Sequence, residues 1–184
     1  MVDNRFRLKM TVLVPLTLFT LVLGMTALSS CASSSSYILL EEEIKPDNRS
    51  AVVVFLGSNS TKAQIWDGEK PVGTFRDTPG TSMNCIHWRT TPGSHTFVGR
   101  STNFVHVRMN LQANRAYYVR IHEIPAPYAT PIAMNEVSRE QYDEFRERWR
   151  IRDLEYDDEW RKDFLAENDG KWLKDIREYL ATVK

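Results

Sequence analysis

Few side chains in this chain of 184 residues can do covalent or metal chemistry, and their spacing decides which. The thiols are Cys31 and Cys85, and the imidazoles are His87, His95, His106 and His122. A thiol beside an imidazole makes a nucleophile, and a cluster of imidazoles, thiolates and carboxylates makes a metal centre. The spacing here brings neither together. There is no GxSxG elbow, no HExxH helix, no phosphate-cradling glycine loop and no dinucleotide fingerprint. Ser94 and His95 are adjacent, which does not bring a nucleophile and its base into reach. Cys85 sits in the apolar-flanked run Met83-Asn84-Cys85-Ile86, the setting of a small buried hydrophobe. His106 and His122 lack a third ligand that the sequence can name, so no metal and no cofactor are expected.

The elements that must position these groups begin with short β-runs. Ala51 to Leu56 (AVVVFL) is continuously apolar, as in a strand covered on both faces. Lys62 to Trp66 and Val72 to Phe75 flank the hairpin-type turn Asp67-Gly68-Glu69-Lys70. Met83 to Arg89 and His95 to Val98 flank the turn Thr91-Pro92-Gly93-Ser94. In Phe104 to Leu111 and Ala116 to His122, apolar and other residues alternate with period two, so each strand has one face in a core. Ala113-Asn114-Arg115 makes the turn between them, with Asn tolerating positive φ. The parity predicts that Phe104, His106, Arg108, Tyr118, Arg120 and His122 share one face. That face is the candidate binding surface, unless C-terminal helices cover it, which is the favoured reading because an aromatic helix stripe needs an apolar partner.

Residues 125–137 contain three prolines in or beside an extended connector. A helical pattern then starts, with Ser138 as N-cap, Gln141 completing a capping box, and Tyr142, Phe145 and Trp149 as an apolar stripe. Tyr156, Trp160 and Phe164 recur every four residues, and Trp172, Leu173, Ile176, Tyr179 and Leu180 line a last helix after Asn168-Asp169-Gly170. Arg152 and Asp153 interrupt the apolar seam, so a regular coiled coil is not expected. The predicted class is mainly β: an antiparallel β-sandwich of about seven short strands with a C-terminal α-helical extension.

The other thiol sits in a different context. Arg5, Arg7 and Lys9 precede an uncharged apolar run from Met10, which ends in Leu28-Ser29-Ser30-Cys31. This arrangement resembles a bacterial lipoprotein signal peptide with its lipobox. The resemblance implies cleavage after residue 30, diacylglycerol on the Cys31 sulfur and an acyl group on its freed amine. Two or three chains give stable anchoring where one does not. Ala32 rather than Asp after the cysteine favours outer-membrane delivery in a cell with two membranes. A run of serines, Ser33 to Ser36, opens a polar tether, and Tyr37 to Leu40 is apolar enough to dock on the domain.

Removing residues 1–30 takes away three cations and one anion, leaving 21 against 23 and a formal charge of −2. That balance excludes the electrostatic footprint of a nucleic-acid binder. With Cys31 lipidated, Cys85 has no partner for an intramolecular disulfide.

The stretch from Val52 to Ile121 resembles small bacterial lipoproteins carrying a PEGA-like β-sandwich of mostly unassigned function. The likeness rests on Gln64 to Gly73 as a strand–Asp-Gly–strand hairpin, on Pro92-Gly93-Ser94-His95-Thr96-Phe97, and on Leu111 to Val119 with its paired tyrosines. It implies that His95 is structural and bonds a neighbouring turn. The domains expected are the signal 1–30, the lipidated Cys31 and tether 31–50, a sandwich 51–124, the connector 125–137 and a helical extension 138–184. The expected function is a lipid-anchored envelope module that binds an envelope protein or peptidoglycan without catalysis. Its alternatives are a carbohydrate-binding module stacking sugars on Trp66, Trp88 or the Phe104–Tyr118 face, and a periplasmic enzyme built from distant acid–base groups.

Overall fold

The run Ala51-Val52-Val53-Val54-Phe55-Leu56 has no polar side because it lies at the heart of the molecule. It forms strand β2 (Ala51–Ser58), whose alternate residues enter two separate cores. Ala51, Val53 and Phe55 point into one, and Val52, Val54 and Leu56 into the other. This is the computed structural model of the chain, and it describes residues 37–58, 60–75, 82–167 and 170–183. The signal, Cys31 and the serine run lie outside the described residues.

Ten strands and three helices are seen among the described residues. A six-stranded sheet is ordered β1-β10-β5-β2-β8-β9 and a four-stranded sheet β4-β3-β6-β7. The strands are β1 (Ile38–Leu39), β3 (Gln64–Asp67), β4 (Lys70–Thr74), β5 (Met83–Thr90), β6 (Gly93–Arg100), β7 (Phe104–Leu111), β8 (Ala116–Glu123), β9 (Ile132–Val137) and β10 (Ile151–Glu155). The helices are α1 (Arg139–Arg148), α2 (Asp158–Ala166) and α3 (Lys171–Thr182). The sheets face each other across the larger core, where Phe55 meets Phe97 edge-on at 5.2 Å. Helix α1 covers the outer face of the six-stranded sheet through Tyr142. Helices α2 and α3 cover the outer face of the other, with Phe164 against Trp66 at 5.7 Å and Tyr179 stacked on Phe104 at 5.0 Å.

All seven expected strands form, and the chain is mainly β with a C-terminal helix. The expectation of a purely antiparallel arrangement is corrected in the larger sheet. There β2 pairs parallel with β8, from Val52↔Ala116 to Gly57↔Ile121, and β10 pairs parallel with β5. Asn114 does adopt φ +59°, yet its turn does not close a hairpin. Strand β7 pairs with β6 in one sheet and β8 with β2 in the other, so residues 112–115 arch between the sheets.

Strands β9 and β10 fall where a connector and a helical tail were expected. Residues 36–184 form one compact unit, which takes in part of the expected tether together with the sandwich, connector and helical extension. From Tyr37 onward the expected tether is bonded to the body. Strand β1 pairs with β10, and Asp47 takes a hydrogen bond from Arg89 at 2.6 Å. The capping box at α1 is as read, with Ser138 and Gln141 bonding reciprocally. Trp149, however, is the extended C-cap and remains half-exposed rather than completing the buried stripe.

Gly73 in β4 marks the tightest seat for the tail. A Cβ there would lie 2.6 Å from the Tyr156 ring. That ring cannot yield, because its hydroxyl donates to the Thr74 carbonyl at 2.6 Å. Gly73→Ala is therefore expected to lower stability by about 1–3 kcal/mol, the usual cost of overpacking. Urea denaturation measures it, and an unchanged midpoint would refute the tight contact.

Candidate functional site

The alternation in β7 and β8 orients their side chains as expected, but the two strands stand on different sheets. The single face formed by Phe104, His106, Arg108, Tyr118, Arg120 and His122 is thus corrected to two faces on separate sheets. Phe104 and His106 lie against α3, where the His106 ring nitrogen Nδ1 is 3.0 Å from the Tyr179 hydroxyl, and Arg108 is exposed. Tyr118 and Arg120 lie under α1. Tyr118 stacks on Tyr142 at 4.3 Å and accepts a 2.6 Å hydrogen bond from Arg139. The Arg120 guanidinium sits 4.7 Å over the Phe145 ring.

The other platforms weighed for sugar stacking are closed. Trp66 is fully buried, and Arg161 lies 4.7 Å over the Trp88 ring, whose Nε1 donates to Asp67 at 2.9 Å. His95 is held at both ring nitrogens, by the Asp67 carboxylate and by the Thr91 carbonyl of the neighbouring turn, each at 2.9 Å. Among the described residues no three histidine, cysteine, aspartate or glutamate side chains are grouped to hold a metal.

Cys85 and His87 share the outer face of β5 beneath α1, at the centre of a chain of charged groups. Asp153 on β10 faces the His87 Nε2 at 2.8 Å. It also takes two parallel hydrogen bonds from Arg146 on α1, at 2.9 and 3.0 Å. Arg146 donates as well to the Tyr142 hydroxyl at 2.8 Å, and that hydroxyl donates to Glu43 at 3.1 Å. Burial pushes the Cys85 thiol well above its ordinary range, and the Asp153 charge adds to this. A thiol kept protonated in a closed core is not a nucleophile. This cluster is an internal clamp.

A recess opens where α1 ends. Two adjoining hollows of about 120 and 180 Å³ share Ser58, Met83 and Arg120. The smaller is lined further by Thr61, His122 and Glu123, the larger by Phe145 and Trp149. Four of the residues around the smaller hollow, Thr61, Arg120, His122 and Glu123, each keep one side-chain polar atom (Oγ1, Nε, Nδ1 and Oε1) below the surface with no hydrogen-bond partner among the described residues. A native fold satisfies nearly all such atoms, so their grouping makes this recess the candidate site. The parity of β8 had singled out Arg120 and His122. Trp149 was missed because no Gly or Pro follows it to signal that the helix stops. Glu123 was missed because it lies one residue past the alternating run Ala116 to His122.

No family profile, curated protein or solved structure matches the chain.

Burial alone would raise the Asp153 carboxyl, but hydrogen bonds and charge from His87 and Arg146 outweigh it and hold the group below its usual range. A depressed folded value stabilises the protein above the unfolded one and ceases to as pH falls through the folded value. Asp153→Asn is expected to cost about 3 kcal/mol at neutral pH, because it leaves Arg146 and His87 without their acceptor. Urea midpoints of the two proteins should draw together as pH falls below the ordinary carboxylate range and through the depressed folded value of Asp153. A gap that stays equal from neutral pH down through the acid range would show that the charge is not what matters.

Proposed function

We propose that the protein is a lipid-anchored cell-envelope module, held through Cys31, that binds an envelope component without transforming it. The address rests on the lipobox-like run before Cys31, and Ala32 favours the outer membrane. Two facing β-sheets are in keeping with the PEGA-like sandwich that the sequence resembles, here enlarged by strands and helices outside that resemblance.

The observation that carries binding over catalysis is where the reactive groups sit. Cys85 is buried and protonated, His87 is closed beneath α1 and His95 is pinned at both nitrogens. The recess at the end of α1, between Arg120 and the half-exposed Trp149, is open by contrast. It makes the natural point of contact with an envelope protein or with peptidoglycan.

Cys31→Ala should move the protein from the membrane pellet to the soluble envelope fraction and abolish incorporation of labelled palmitate. Pelleting and labelling that match the wild type would overturn the anchor.

A further inference from the structure

The run Tyr37-Ile38-Leu39-Leu40 docks on the body by its backbone and leaves apolar side chains outside. Strand β1 pairs with β10, the Leu40 N–H donates to the Asp153 carbonyl at 3.1 Å, and the Tyr37 ring meets the Tyr156 ring edge-on at 6.2 Å. Ile38 is nevertheless 49% exposed and Leu39 56% exposed. Consecutive residues of a strand project to opposite faces. Both stay open here because β1 is the last strand of its sheet. A partner that covers both at once must meet the sheet edge-on, as a broad surface can. The chain before this strand says which surface. Only five residues, Ala32 to Ser36, join Cys31 to Tyr37. Six steps of roughly 3.3 Å reach about 20 Å at most. A compact unit of the length of residues 36–184 has a radius of gyration of about 15 Å and is roughly 40 Å across. So short a lead cannot pass round the body, and the β1 edge is kept toward the bilayer that holds the lipid. Charge sets the manner of contact. Glu41 and Glu42 are exposed just beyond the strand, so anionic headgroups do not attract this edge. An edge strand also keeps backbone groups that need water. The strand thus stays among the headgroups while its apolar side chains dip toward the acyl chains.

We infer that the β1 edge, through Ile38 and Leu39, rests on the neutral surface of the bilayer that carries the Cys31 lipid. The contact rests on the lipid anchor proposed above and adds the orientation of the body upon it. Lipid supplies attachment, and the apolar pair sets which edge faces down. The six-stranded sheet then stands on β1, with β9 and the exposed Tyr128 that precedes it held away from the membrane.

The test places the lipidated protein in phosphatidylcholine vesicles that contain a doxyl lipid, which quenches fluorescence on contact. A nitrobenzoxadiazole dye is attached at Leu39→Cys, or at Tyr128→Cys for comparison, while the fully buried Cys85 does not take it. Quenching severalfold stronger at position 39 than at position 128 is expected, and added salt should not change it. Equal quenching at the two positions overturns the proposal, as does contact at position 39 that salt abolishes. A further protein carries the dye at the exposed Glu42→Cys, with the apolar pair intact or replaced by Ile38→Asn and Leu39→Asn. Replacement should cut quenching there to the level seen at position 128, and quenching that persists overturns the role of the pair. Both residues are half-exposed, so the urea midpoint should stay near that of the parent. Flotation and the mass of the Cys31 adduct are read on the same samples. A protein that floats with its lipid yet shows no contact at position 39 refutes the docking and leaves the anchor standing. One with neither lipid nor flotation removes both.

Discussion

A carboxylate shut between a sheet and a helix must find hydrogen-bond donors, and Asp153 finds them on two other elements. Its partners are His87 from β5 and Arg146 from α1. Arg146 in turn engages Tyr142 and, at 3.4 Å, Glu43 of the N-terminal segment. Meeting all of these at once requires β10 to run beside β5, α1 to lie over that pair, and the chain before β2 to fold back against the helix. The net stabilisation from such a cluster is modest, because removing charges from water costs nearly what their pairing returns. Its contribution here is geometric. Apolar burial supplies the driving force, and the charged clamp selects one arrangement of strand and helix.

The second constraint is the apolar strand β2, which has no face that tolerates water. One side is met by the four-stranded sheet. The other needs a helix, and α1 is short for the task. Its 10 residues span about 15 Å at 1.5 Å each, and the helix stops at Trp149. Near the end of α1 the ends of β2 and β8 are left beside Phe145 and Trp149, and the recess around Arg120 is that remainder. The clamp and the recess are two ends of one packing problem. In the clamp the charges of Asp153, Arg146 and Glu43 answer one another, while the His87 Nδ1 there and several polar atoms around the recess are left without partners.

Much of the local structure was legible from side chains alone. The alternation in β7 and β8 correctly oriented each residue, Asn114 occupied the left-handed region its turn demanded, and the Ser138–Gln141 capping box started α1. Those features depend on neighbours within a few residues. The partition of β7 and β8 between sheets was not legible, because a period of two says which residues point inward and nothing about which strand lies alongside. Strand β10 was hidden for a related reason. Arg152 and Asp153 look like surface charge until His87 and Arg146, contributed by other elements, make Asp153 a buried partner.

The sequence by itself determined the mainly β class, the seven strands it marked with turns, the capped start of α1 and the reasons to expect a lipid anchor at Cys31. Tertiary structure decided which strands pair, that the tail belongs to the same body, and that Arg120 lines adjoining hollows with His122 and Glu123 on one side and Trp149 on the other, while Phe104 and His106 go to another face. Turns and caps are settled by short-range sterics and hydrogen bonds, which a linear pattern records. Pairing and convergence depend on covering every apolar face and answering every buried charge across the whole molecule, and no stretch of the chain carries that balance on its own.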